Sequence, residues 1–302
     1  MKFPPHLLPG DKVSIVSPAG KIDRQVVERG AELLRQQGFR VQTGRHAFDE
    51  EGVFSGTDSA RAADMQKALD DESIRAVFFS RGGYGSLRTH LQLDWTSFLR
   101  NPKWLVGFSD ATVFHAQLSR HRIASVHGVM TSMFERDRIP TEGFKQLMEL
   151  LAGKKPEIAI APHPLNVAGT ASGILTGGNL SIIQSLRGTP LDIRPKGKIL
   201  FIEDINEQHY HLDRMMQNLK AGHVLEQLSG LVVGYLTGMK DGKTPFGRTA
   251  YEIIREAVEP YRYPVAFGFP AGHELPNHPL LMGSRISLEV AKSGVMLGNR
   301  NR

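Results

Sequence analysis

Val106-Gly107-Phe108-Ser109-Asp110-Ala111-Thr112 joins a strand to a helix within a few residues. Upstream, Trp104-Leu105-Val106 is an apolar run with strand character; downstream, residues 111–118 form a helix-like run. A serine on so sharp a strand-to-helix turn presents its hydroxyl outward, and the N–H groups of the helix start point at whatever it attacks. Serine is also a preferred helix N-cap, and the local pattern alone favours the cap. The two readings fall on one and the same position.

Outward from this turn the first half alternates strands with helices. Residues 12–16 are a β-rich run ending in Ser17-Pro18-Ala19-Gly20, and residues 23–37 form a helix with Val26, Val27, Leu33 and Leu34 on its apolar side, stopped by Gly38. A strand at 39–42, a helix at 59–69, a buried strand at 76–79 and a helix at 86–91 follow. Such alternation predicts βαβ units around a mostly parallel sheet, and ligands in such sheets sit at the carboxyl ends of strands. Three loops fall there: 17–20, 81–85 and 107–110. After a helix at 141–151 the proline-rich Ala161-Pro162-His163-Pro164-Leu165 breaks the pattern. The expected division is an N-terminal α/β domain over 1–160 and a smaller α+β domain over 161–302. Strands at 198–202, 231–235, 265–267 and 285–290, with helices at 212–221 and 249–258, are expected in the second.

With 302 residues, 40% hydrophobic and 23% charged, the chain has the composition of a soluble globular protein of two domains. No apolar run is long enough for a transmembrane helix, and Met1-Lys2-Phe3-Pro4-Pro5 does not open a secretory signal. The absence of cysteine rules out disulfides, cysteine–zinc sites and a cysteine nucleophile. The net charge of +6 is dispersed rather than blocked, which argues against nucleic acid and gives weak support to a small anionic ligand. Solvated surface charge is the simpler account of the excess.

Arg81-Gly82-Gly83-Tyr84-Gly85 follows a strand and precedes a helix, so its N–H groups could hold an anion. It lacks the lysine of a P-loop and the spacing of a dinucleotide fingerprint; a tight turn is the competing reading. A nucleophilic Ser109 requires a base and an orienting acid. His273, in a Gly/Pro loop directly after the apolar strand 265–267, suits the base, with a satisfied loop histidine as the commoner reading; Glu203, at the end of another apolar strand, suits the acid, with a cap on the neighbouring turn as its rival role. His209-x-His211 resembles a metal pair, but no third ligand lies nearby and a polar loop is the expected setting. The order is Ser, Glu, His, each at a strand end.

These motifs resemble those of the LD-carboxypeptidase family of serine peptidases over nearly the whole chain. The resemblance runs through Pro9-Gly10-Asp11, Val16 to Gly20, Arg61-Ala62-Ala63-Asp64-Met65-Gln66, Arg81 to Gly85 and Gly107-Phe108-Ser109-Asp110. It continues through His127-Gly128, Gly177-Gly178-Asn179-Leu180, Phe201-Ile202-Glu203-Asp204, Tyr210-His211-Leu212-Asp213-Arg214 and Gly272-His273. Phe108 stands where the family often has tyrosine. The resemblance implies Ser109 as nucleophile, Glu203 as orienting carboxylate and His273 as base. It also implies an oxyanion hole of the backbone N–H groups of Asp110 and Gly83. The implied fold is a parallel-sheet α/β domain like the class I glutamine amidotransferases, followed by the smaller domain that brings Glu203 and His273.

The expected function is therefore a cytoplasmic serine L,D-carboxypeptidase that removes the terminal D-alanine from a muropeptide or free tetrapeptide. Neither metal nor organic cofactor is expected, no nucleic acid or membrane partner, and a homodimer only by resemblance. Arg81 is a candidate for the substrate carboxylate; an ion pair that props up its loop is the rival role. Two other functions compete. A microcin-immunity-type hydrolase would cut aminoacyl-sulfamoyl nucleotides with the same triad, although both tryptophans, Trp95 and Trp104, lie in the first half. A non-catalytic binding protein on the same scaffold is the second, and the joint presence of serine, glutamate and histidine argues against it.

Overall fold

A computed structural model describes residues 1–155 and 157–298. The described residues divide into two compact units: one of residues 1–154 with 276–281, the other of those between 155 and 275 with 282–298.

The first unit contains β1 (Lys12–Val16), α1 (Arg24–Gln36), β2 (Arg40–Thr43), α2 (Asp58–Asp70), β3 (Ile74–Phe79), α3 (Ser86–His90) and α4 (Thr96–Arg100). It continues with β4 (Trp104–Gly107), α5 (Thr112–Arg120), β5 (Ser125–His127), a small antiparallel hairpin of β6 (Glu135–Arg136) and β7 (Ile139–Pro140), and α6 (Glu142–Leu151). Strands β2, β1, β3, β4 and β5 lie side by side in that order, all parallel. Their apolar runs are continuous because both faces are covered. Ala76 and Phe78 face one core with Val27 and Leu34 of α1 and Phe144 and Leu147 of α6. Val77 and Phe79 face the other with Met65 of α2, Phe98 of α4 and Phe114 of α5. The strand order reverses between β1 and β3, and at such a switch point the loops beyond the carboxyl ends diverge and leave a crevice.

The second unit contains β8 (Ile158–Ile160), β9 (Gly169–Asn179), α7 (Leu180–Ser185), β10 (Lys198–Ile205), α8 (His209–Ala221), β11 (Gly230–Thr237), α9 (Ala250–Val258) and β12 (Val265–Ala266). After β13 (Leu280–Met282), which joins the first sheet at the edge beside β5, come β14 (Arg285–Ala291) and β15 (Gly294–Gly298). β9 to β12 run parallel, while β14, β15 and β8 extend the sheet antiparallel from β9. Helices α7, α8 and α9 cover one face through Leu180, Leu212, Met216, Ile253 and Ile254.

Strand β9 was not among the expected elements. Its sequence, Gly169-Thr170-Ala171-Ser172-Gly173-Ile174-Leu175-Thr176-Gly177-Gly178-Asn179, is too rich in glycine and small residues to read as a strand. The glycines are demanded by neighbours: a Cβ at Gly177 would lie 2.0 Å from the carbonyl oxygen of Phe201. His209 and His211 sit on the first turn of α8, not on a loop.

Candidate active site

Ser109 has a backbone φ of 62°, a left-handed conformation that costs a residue bearing a Cβ on the order of 1–3 kcal/mol. It opens a single 3-10 turn, Ser109–Ala111, between β4 and α5. The cap positions are Phe108 for that turn and Ala111 for α5, and neither contributes a side-chain cap. The expectation that Ser109 doubles as helix cap is thus corrected. A capping serine needs extended backbone, and at positive φ the side chain is turned away from that geometry.

The strained turn is held from both ends. On its entry side the Gly107 carbonyl accepts hydrogen bonds from His115 Nε2, 2.9 Å, and from the Gly128 N–H, 3.3 Å. Since Nε2 donates to a carbonyl, Nδ1 of His115 is the acceptor for the Ser125 hydroxyl at 2.8 Å. Burial drives the His115 pKa down to about 4, so the ring is neutral at pH 7. On the exit side the Asp110 carboxylate, 3% exposed, accepts from the Ser86 N–H at 2.7 Å.

The loop 81–85 lies directly on the serine. A Cβ at Gly82 would stand 3.0 Å from Oγ of Ser109 and 3.4 Å from the backbone nitrogen of Asp110. The space beside the hydroxyl and the Asp110 N–H therefore exists only because residue 82 has no side chain. The Gly82 carbonyl accepts from the Gly20 N–H at 3.1 Å, which fixes the Gly82–Gly83 peptide plane. In a trans peptide the Gly83 N–H then points the opposite way from that carbonyl. Gly83 itself, at φ 105°, takes a conformation open to glycine. Arg81 donates from Nη1 to the Lys21 carbonyl at 3.0 Å, which ties its loop to the segment after β1. The loops after β1, β3 and β4 thus converge at the switch point, as the alternation of strands and helices predicts.

Glu203 and His273 belong to the second unit. Glu203 is fully buried near the end of β10, and His273 Nδ1 donates to its Oε2 at 2.6 Å. That bond leaves Nε2 of the imidazole as the basic nitrogen. The histidine is placed by a loop stitched to β11: Phe269 N–H donates to the Val233 carbonyl at 3.0 Å, and Tyr235 N–H to the Ala271 carbonyl at 3.0 Å. Gly272, at φ 131°, lets this loop close over the carboxylate, since a Cβ there would lie 2.9 Å from Oε2.

The next residue points the other way and has a different task. Asp204 accepts from Asn179 Nδ2 and the Ser181 N–H at 2.9 Å, the Ser181 hydroxyl at 2.7 Å and its neighbour Ile205 N–H at 2.9 Å. Burial lifts its pKa to about 6, Ser181 opposes the rise and the Glu203 charge adds to it. Asn179 meanwhile caps α7 through the Ile182 N–H, 3.1 Å. His211 is bonded to Glu207 and His209 lies 3.8 Å from Asp241. Among the described residues no cluster of three or more His, Asp or Glu side chains is arranged to hold a metal ion.

Ser109, Asp110, Gly83 and Arg81 therefore fall together in the first unit, and Glu203 and His273 together in the second. Sequence reading missed Gly82 as the glycine that keeps space beside the serine, His115 as the brace of the turn, and Gly272 as the cover of Glu203. Gly82 carried a signal, its place between a strand end and Gly83. His115 carried none, since one polar residue in an apolar helix has no visible partner.

A serine on a strained strand–helix turn, flanked by a glycine loop, in a doubly wound α/β unit is the arrangement of a serine hydrolase. Residues 13–128 match the LD-carboxypeptidase N-terminal domain and residues 172–288 the LD-carboxypeptidase C-terminal domain. A putative carboxypeptidase of Synechocystis is 30% identical, with 95% of this chain and 94% of its own length aligned. A probable murein peptide carboxypeptidase of Bacillus subtilis is 28% identical over 97% of this chain and 93% of its own. The crystal structure of muramoyltetrapeptide carboxypeptidase from Oxalobacter formigenes superposes with a TM-score of 0.87 at 26% identity, covering 95% of this chain and 98% of that one. The microcin C7 self-immunity protein of Escherichia coli is 23% identical over 95% of this chain and 93% of its own. The chain belongs to the LD-carboxypeptidase family and is a serine-type carboxypeptidase.

Proposed function

We propose that the protein removes the terminal D-alanine from murein tetrapeptides, free or carried on a muropeptide. Ser109 is the nucleophile, supplied by residues 1–160; His273 is its base and Glu203 the carboxylate that orients the base, both supplied by residues 161–302. The observation that carries this reading is the positive φ of Ser109, followed at once by the Asp110 N–H and faced by Gly82. Strain of this kind persists where the surroundings enforce it, and it exposes the hydroxyl for attack.

In the proposed reaction Nε2 of His273 takes the Ser109 proton as Oγ attacks the carbonyl of the L,D-peptide bond. The tetrahedral oxyanion is received by the N–H groups of Asp110 and Gly83; one such donor is worth on the order of 10²–10³ in rate. His273 returns the proton to the amine of D-alanine, and water then releases the acyl-enzyme by the same route. Arg81 receives a substrate carboxylate, a role in keeping with the net charge of +6. A cytoplasmic site of action, a part in peptidoglycan recycling and a homodimeric state complete the proposal. No helix among the described residues is long and apolar enough to cross a membrane.

The test is to incubate the wild type and Ser109→Ala with L-Ala-γ-D-Glu-meso-diaminopimelate-D-Ala and, separately, with a peptidyl sulfamoyl nucleotide. Release of D-alanine by the wild type alone supports the proposal. Cleavage only of the nucleotide conjugate would transfer the protein to the immunity-type reaction, and equal rates in the variant would remove Ser109 from its role.

A further inference from the structure

We propose that the Asp110 side chain is a positioning residue: its carboxylate locks the loop carrying Gly82 and Gly83 to the nucleophile turn, so that the two oxyanion donors move as one body. The inference rests on Ser109 being the nucleophile.

Helix α3 begins at Ser86, immediately after the loop, and its N-cap residue is Gly85, which has no side chain to satisfy the first N–H groups. The missing acceptor comes from 24 residues further along the chain, as the Asp110 carboxylate at 2.7 Å from the Ser86 nitrogen. A carboxylate at a helix start is favoured by the dipole as well as by the hydrogen bond. This one is held in a dry setting, where an unpaired charge would be costly. Burial pushes the Asp110 pKa up, while the Ser86 bonds and the charge of Arg61 pull it down. Arg61, itself 2% exposed, is anchored by its Nε bond of 3.2 Å to the Thr89 hydroxyl in α3. Thr89 in turn donates to the Pro18 carbonyl at 2.8 Å.

The other end of the loop is fixed independently. The Gly82 carbonyl accepts from Gly20, and the Ser80 N–H donates to the Val16 carbonyl at 2.8 Å. Between these two anchors the loop contains Gly83 and Gly85, both at positive φ, whose backbone freedom would otherwise let the loop shift as a whole against the serine turn. Asp110 thus sits in the nucleophile turn directly after Ser109 and is bound through its carboxylate to Ser86, the residue that follows the loop. Oxyanion donors work by preorganisation, so loss of the lock lowers the rate of acylation more than it weakens binding.

The experiment compares Asp110→Ala and Asp110→Asn with the wild type. Asparagine keeps an oxygen acceptor for the Ser86 N–H; alanine removes it. Three quantities are read: kcat and KM on the tetrapeptide, the rate of Ser109 phosphonylation by a fluorophosphonate, and the melting temperature. Asp110→Ala is expected to lower kcat and the phosphonylation rate together by about 10²–10³-fold, with KM changed less than about threefold. Asp110→Asn should recover kcat to within about tenfold of the wild type. If Asp110→Ala does not fold, Asp110→Ser, too short to reach Ser86, is expected to show the same loss. Unchanged kcat per folded molecule in the alanine or serine variant overturns the lock, as does an asparagine variant no better than alanine. A wild type that is phosphonylated at Ser109 yet leaves the tetrapeptide intact overturns the substrate reading, and the lock is then decided by the phosphonylation rates. A wild type in which Ser109 does neither overturns both.

Discussion

His273 donates from Nδ1 to Oε2 of Glu203 across 2.6 Å, and Glu203 has no exposed surface. The pair fixes the imidazole's tautomer and leaves Nε2 as the basic nitrogen, the atom to which the proposed mechanism gives the Ser109 proton. Glu203→Gln keeps the size of the side chain but removes the charge that stabilises an imidazolium. Its kcat should fall by about 10³–10⁴ while the fold persists. Steady-state kinetics on the tetrapeptide, with circular dichroism as the control for folding, checks this; a loss below tenfold would take Glu203 out of the orienting role.

Gly82→Ala puts a methyl group where the distances to Ser109 Oγ and Asp110 N are 3.0 and 3.4 Å. The expected outcome is a folded protein with kcat/KM reduced by about 10²-fold or more, comparable to the loss of an oxyanion donor. A melting temperature near that of the wild type, measured alongside the kinetics, separates this from general destabilisation.

His115 gives the protein an acid-sensitive brace. Its folded pKa of about 4 lies below the ordinary value of 6.5 because the ring is buried. The unfolded chain therefore binds the proton more readily. The stability contributed by keeping the ring neutral is present above pH 6.5 and is lost as pH falls through 4. The loss amounts to about 3 kcal/mol. Urea unfolding at pH 7 and pH 4.5 should show a smaller drop for His115→Gln than for the wild type; equal drops would contradict the assignment.

Asp204 works with the opposite sign. Its folded pKa, raised by burial to about 6 from 3.8, means that the folded protein binds this proton more tightly than the unfolded chain. The contribution is complete below about pH 4 and is lost as pH rises through 6, again about 3 kcal/mol. The stability gap between wild type and Asp204→Asn should therefore be larger at pH 4 than at pH 7. A gap independent of pH would refute it.

The turn at Ser109 was legible because strand, turn and helix are local features: apolar residues at the right period, a small residue between them, and a helix start. The same holds for the glycine loop 81–85 and for Glu203 at a strand end. Strand β9 was not legible, because its glycines are chosen by the backbone of β10 and leave no period-two pattern. The polar setting expected for His209 and His211 was right in chemistry and wrong in conformation, since α8 begins earlier than its apolar side.

By itself the sequence determined the parallel α/β character of the first half, the loops at its strand ends and the order of serine, glutamate and histidine. Each of these depends on residues adjacent in the chain. Tertiary structure alone decided that Asp110 reaches Ser86 across 24 positions, that His273 reaches Glu203 across 70, and that Ser109 is strained rather than capping. Those relations depend on register, strand order and the packing of buried groups, which bring distant residues within hydrogen-bond length and leave no periodic trace in the chain.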